Sequence, residues 1–233
     1  MALSKLEPFN YEAFLMQVEG LVSDLVEGFQ AHELGGWEEA FNSYNYRGAD
    51  SAEGLRIRRE FNHRLRNAVT DEARLVVAEE ILDWGGMDPL SAEMTEELHH
   101  SLLALDQGGE ELLRIHSSRI ASISKVYEMW SPHQWVIFDS YCARGLQWMI
   151  AAFCGEMEDN LSDLVKLPCP PGRVCLPYEG FPVLGTENQA RLGFIYCSWL
   201  ARAIADSSNN NGYFHGCSAS HIEMVAFSIG HRI

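Results

Sequence analysis

Asp139 is the residue whose neighbours most suggest chemistry. It ends the apolar run Val136-Ile137-Phe138 and precedes Tyr141 to Phe153, which has a helical pattern. A carboxylate there meets two opposed forces. Removal from water favours its neutral form, whereas hydrogen bonds from the N–H groups of a helix N-terminus favour its charged form. Such a group caps a helix. It can also serve as a positioned base or stabilise a positive charge developing nearby. The second chemical feature is a basic helix over residues 53–67, carrying Arg56, Arg58, Arg59, Arg64 and Arg66. Arg56, Arg59 and Arg66 fall near one face, as a phosphate-contacting strip would. The competing reading is a solvated helix whose arginines pair with Glu53, Glu60 and Asp71.

Several other chemistries find no pattern here. The chain has no G-x-x-x-x-G-K-[ST], no G-x-G-x-x-G and no G-x-S-x-G, which argues against P-loop, Rossmann and α/β-hydrolase enzymes. His99 and His100 are adjacent and point to different helix faces. His215 with Cys217, and His221 with Glu223, do not match zinc spacing. No metal and no cofactor is expected. The six cysteines form no C-x-x-C pair and mostly sit among apolar residues, as buried thiols do. With no apolar core of signal-peptide length and no stretch of membrane-span length, a cytoplasmic protein without a membrane partner is expected.

Charge limits the partners. The 233 residues carry a formal net charge of −16. The field of the whole molecule repels a polyanion, so any nucleic-acid contact must use a local basic patch.

The elements that must position Asp139 are helical. Asn10 caps a helix to about Ala31, with Phe14, Val18, Val22, Leu25 and Phe29 on its inner face. Gly35-Gly36 breaks the pattern, and a polar connection through Tyr44, Tyr46 and Gly48 follows. Thr70 opens a helix to Leu82, which stops at Trp84-Gly85-Gly86. Further helices are expected over 91–105, 110–115, 119–130 and 188–205. Residues 167–185 hold five of the eight prolines and read as an extended loop with a short hairpin. Residues 207–216 read as a surface loop. Ser220 and Glu223 have capping-box spacing before a last helix over 222–229. The fold class is all-α: one irregular multi-helix domain spanning 1–233, with the C-terminal helices over 188–230 packed back on the segment 110–153.

The segment 110–153 also carries a resemblance. Ile115-His116-Ser117-Ser118-Arg119 as a hairpin turn, Ser124-Lys125-Val126 in the next helix, and Pro132 followed by Val136-Ile137-Phe138-Asp139-Ser140 resemble the helix-hairpin-helix DNA glycosylase superfamily, in its 8-oxoguanine glycosylase-like branch. Trp84-Gly85-Gly86 and Ile222-Glu223-Met224-Val225-Ala226-Phe227 look like elements of relatives that accompany bacterial antiphage defence systems. The resemblance implies that Asp139 assists cleavage of a base–sugar bond. It also implies contact of His116, Ser117, Ser118 and Arg119 with nucleic-acid phosphate, to which the basic helix would add Arg56 and Arg59. Trp130, Trp135 and Trp84 are the aromatic candidates for a nucleobase pocket. Family members with lyase activity add a lysine early in the helix behind the hairpin. Ser118-Arg119-Ile120-Ala121 has none, and Lys125, about one turn later, is the candidate to work beside Asp139. The family's hairpin glycines are also missing from His116-Ser117-Ser118. The implied partners are a nucleobase or modified DNA, and a protein from a defence operon. The alternative is a glycosylase-fold module that binds without catalysis.

Overall fold

The computed structural model describes residues 5–32, 35–154, 164–170 and 176–233. Helices dominate it. In chain order they are α1 (Tyr11–Gln30), α2 (Gly36–Asn42), α3 (Ser51–Asn67), α4 (Asp71–Trp84), α5 (Ala92–Gln107), a 3₁₀ turn (Gly109–Arg114), α6 (Ile120–Trp130), α7 (Ser140–Phe153), α8 (Glu187–Asn210) and α9 (Ala219–Arg232). Between α2 and α3 a two-residue hairpin pairs β1 (Asn45–Tyr46) with β2 (Ala49–Asp50).

Most helix starts are set by side chains that the sequence displays. Asn10, Asp50, Thr70, Ser91, Asp139 and Thr186 each accept the N–H three residues on, as in Asn10 Oδ1 with Ala13 at 2.8 Å. Each satisfies a donor that the helix cannot, worth about 1 kcal/mol. The apolar faces then pack into one main core and a small second cluster of Tyr44, Met224 and Phe227. Phe14 of α1 stacks on Tyr196 of α8 at 5.6 Å, and Tyr127 of α6 meets Phe194 of α8 at 5.6 Å.

The tightest packing joins α7 to α9, and two glycines permit it. A Cβ on Gly145 would lie 1.9 Å from the carbonyl oxygen of Ala226, and one on Gly230 would lie 2.0 Å from that of Tyr141. Backbone meets backbone at both places, so no side chain can move aside. This crossing holds the start of α7, and with it Asp139, against α9.

Three expectations need correction. Helix α2 and the β1–β2 hairpin lie where a polar connection was expected; Trp37 buries its ring against Phe29 at 4.4 Å and donates its N–H to the Val26 carbonyl. Helix α8 runs on to Asn210, because Asn209 makes tertiary bonds with both the N–H and the carbonyl of Cys217. The last capping box uses Ser218 and His221, not Ser220 and Glu223. In the proline-rich stretch, Cys169 bridges Val183, bonding Pro182 and Leu184; residues 171–175 of the expected hairpin lie outside the described residues.

The glycine crossing makes a checkable prediction. Gly145→Ala should lower stability to urea by about 1–3 kcal/mol, because the added methyl forces α7 off α9. Gly20→Ala, where a Cβ meets nothing within 4 Å, should instead raise it by about 0.5–1 kcal/mol.

Candidate active site in the Asp139 cavity

Asp139 and Lys125 open onto the same cavity, of about 550 Å³. The backbone brings them together. The Phe138 N–H donates to Ser124 Oγ at 3.0 Å, which pins the apolar run before Asp139 onto α6 beside Lys125. Val136 and Phe138 are fully buried and anchor that run. Asp139 then caps α7, its Oδ1 accepting the Cys142 N–H at 2.9 Å.

Lys125 is 2 % exposed. Its Nζ donates to the Ala121 carbonyl at 3.1 Å and forms no ion pair among the described residues. A buried ammonium with a single backbone acceptor is costly unless it faces polar space. Its stem lies along Gly85, where a Cβ would sit 2.5 Å from Lys125 Cδ. That glycine leaves room for the lysine, which gives the Trp84-Gly85-Gly86 stop a second role. The turn is fastened from outside. Arg47 donates to the Trp84 carbonyl at 2.7 Å, and Tyr46 Oη to the Gly85 carbonyl at 2.8 Å.

The walls of the cavity are aromatic. Tyr46, Tyr141 and Phe227 line it, with Phe227 edge-on to Tyr46 (5.6 Å, 87°) and to Tyr141 (5.5 Å, 68°). Burial, with the nearby Asp139 carboxylate, raises the Tyr46 phenol above its ordinary value, so it stays a neutral donor. These three rings were missed in the sequence. They come from β1, α7 and α9, and no spacing within one element connects them.

The hairpin residues divide. Arg119 has a left-handed backbone (φ 51°) and lines the cavity. Its guanidinium holds the rim, donating to the carbonyls of Pro89 at 3.1 Å and Asp88 at 3.2 Å. Ser118 and Arg119 also line a groove of about 430 Å³ that continues from the cavity past Ser122 towards Thr186 and Glu187. His116 and Ser117 are buried. The His116 N–H donates to Ser101 Oγ at 2.8 Å, its carbonyl accepts from Tyr127 Oη, and Ser117 Oγ donates to the Glu187 carbonyl. The His116 backbone and the Ser117 hydroxyl are thus engaged within the fold, while Ser117 also lines the groove.

Other candidates lie elsewhere. Trp130 lines a separate cavity, its N–H donating to Asp106 and its ring lying under Arg66. Trp135 stacks on Phe194 in the core. Trp84 is half-buried behind Tyr46, at 5.3 Å. Arg56 is held on the surface between Glu53 (2.7 Å) and Glu60 (2.9 Å), and Arg59 lines the cavity of Trp130. The basic helix is therefore not a strip beside Asp139. Among the described residues no group of three or more His, Cys, Asp or Glu side chains could hold a metal, and no helix is long and apolar enough to cross a membrane.

Behind the cavity lies a buried charge cluster. Arg58 of α3 donates to Glu128 of α6 at 3.0 Å and to Glu223 of α9 at 2.5 Å, and Glu128 also accepts from Ser220. All three are almost wholly buried. Burial opposes the Arg58 charge, but the fields of Glu223 and Glu128 overcome it and hold its proton on. Burial raises both carboxyls against the pull of Arg58, and Glu223 is pushed up to about 8. Near neutrality the cluster thus keeps one acid proton and balances its charge. No protein-family model, curated protein or solved structure matches the chain.

The retained proton sets a pH dependence. Above its ordinary value of 4.5, Glu223 holds a proton in the folded state that the unfolded chain releases, so this contribution falls as pH rises towards 8. His221 works the other way. Burial, then the charges of Arg58, His133 and Arg59, lower it from 6.5 to about 4, so its contribution rises with pH up to 6.5. The Glu223 and His221 contributions oppose each other below 6.5, and above it the raised carboxyls, Glu223 foremost, remain. Stability measured by urea unfolding should fall between pH 6.5 and 8 by up to about 1.4 kcal/mol per pH unit, and Glu223→Gln should flatten that slope.

Proposed function

We propose that the chain is a cytoplasmic, 8-oxoguanine DNA glycosylase-like protein of the helix-hairpin-helix superfamily, which recognises a nucleobase in the Asp139 cavity and hydrolyses its N-glycosidic bond. One observation carries the reading. Asp139 and Lys125, from the two elements that the resemblance singles out, face one cavity without neutralising each other. The cavity falls in the range of small-molecule sites, and Tyr46, Tyr141 and Phe227 give it the apolar walls that a flat base needs.

The roles follow from charge. As the bond from sugar carbon to base nitrogen breaks, its electron pair leaves with the base and positive charge builds on the sugar. The Asp139 carboxylate stabilises that charge, orients the water whose oxygen adds to the sugar carbon and takes the proton that this water loses, and the departing base takes up a proton on its nitrogen. Lys125 donates hydrogen bonds to the edge of the departing base, where negative charge develops. The chain acts without a covalent lysine intermediate, because no lysine stands at positions 118–121. Arg119 and the groove beside it carry the strand. A setting in antiphage defence, with an operon partner, rests on the resemblance alone.

A second reading is favoured by the hairpin. His116 and Ser117 are buried, the turn lacks glycine and the chain carries a net charge of −16. These features suit a binding module that holds a nucleobase and leaves duplex DNA alone. A panel of oligonucleotides, each bearing one modified base, separates the two. The enzyme releases a free base from at least one of them. Asp139→Asn lowers that release by about 100-fold or more, and borohydride traps no adduct. Absence of release across the panel, with binding of a free nucleobase, would establish the module instead.

A further inference from the structure

A third cavity, of about 490 Å³, lies between α3, the turn after α6 and the start of α9. It shares no lining residue with the Asp139 cavity. Its charge sets it apart. Arg58, Arg59, Arg66, His133 and His221 line it, and no carboxylate does. That is unexpected in a chain with 33 Asp and Glu against 17 Lys and Arg. We propose that this cavity is a binding site for a small phosphate monoester, held by Arg59 and His133 against the N–H of His221.

The cations differ in what already holds them. Arg58 is bound to Glu128 and Glu223, and Arg66 is paired with Asp106 at 2.9 Å. Arg59 has only the Leu55 carbonyl, at 3.3 Å from its Nε, and no ion pair among the described residues. Its fork is therefore available for a two-oxygen contact with an oxyanion. His133 is exposed at the mouth, and no hydrogen bond or ion pair engages its ring among the described residues.

His221 supplies the third donor. Its Nδ1 accepts the Ser218 N–H at 3.2 Å, closing the α9 capping box. In the tautomer in which Nδ1 accepts from both the Ser218 N–H and the Ser218 hydroxyl (2.8 Å), Nε2 carries the proton. The ring is fixed by stacking on Phe41 at 5.1 Å and by the edge contact with Phe214 at 5.6 Å. Burial lowers its pKa most, and the charges of Arg58, His133 and Arg59 push its proton off further, in keeping with the cations that line the cavity. An anion entering meets those cations at low cost, because the ring donor is already in place. A phosphate on a small organic body suits the volume.

The test is calorimetric titration of the full chain with ribose 5-phosphate, with uncharged ribose as control. Ribose 5-phosphate should bind and ribose should not. Arg59→Ala should weaken binding by about tenfold or more. Arg59 is exposed, so the variant should fold; far-UV circular dichroism checks that. Arg114→Ala removes an exposed arginine that does not line the cavity and should leave binding unchanged. In the same titration, the ring proton signals of His221 should shift by NMR. No heat with ribose 5-phosphate, or equal binding by Arg59→Ala and the parent chain, would overturn the assignment.

Discussion

The buried Arg58 guanidinium is the interaction on which the rest of the arrangement depends. It joins α3 to α6 through Glu128 and to α9 through Glu223, positions 70 and 165 residues away in the chain. Taking an arginine and two carboxyl groups out of water is costly, and the cost is met only if the groups stay together. Removing one partner leaves a buried charge without compensation, a loss of about 3–5 kcal/mol. The cluster therefore specifies one placement of α6 relative to α9. It also lies between two cavities: Arg58 lines that of His221, while Glu223 feels the Asp139 carboxylate of the other.

With those helices placed, the Asp139 cavity follows. Helix α6 presents Lys125, α9 presents Phe227, and the Gly145–Gly230 crossing draws α7 in close enough to bring Asp139 and Tyr141 to the same space. Ser124 ties the segment before Asp139 back to α6. The charged pair is thus held apart by backbone on both sides. That separation leaves both side chains open to the cavity, because a lysine and an aspartate closed into an ion pair would present neither charge to a ligand.

Local signals were legible in the sequence and distant ones were not. The caps at Asn10, Thr70 and Asp139 were readable because each acts within three residues. The all-α class followed from helical spacing. The last capping box was misplaced by two residues because Ser220 and Glu223 have the right spacing, yet Arg58 and Glu128 draw both into the core. The tryptophans were overweighted for the same reason. Trp130 and Trp135 sit near Asp139 in the chain, but Arg66, Asp106 and Phe194 claim their faces from other helices. Tyr46, Tyr141 and Phe227 carried no signal, since each belongs to a different element.

The central claim is that Lys125 and Asp139 stay apart to receive a flat base. A crystal structure grown with free 8-oxoguanine tests it most directly. The account predicts a ring held among Tyr46, Tyr141 and Phe227, with Lys125 Nζ and the Asp139 carboxylate both within hydrogen-bond reach of the ligand. A cavity holding only water, with Lys125 and Asp139 closed on each other as an ion pair, would contradict it.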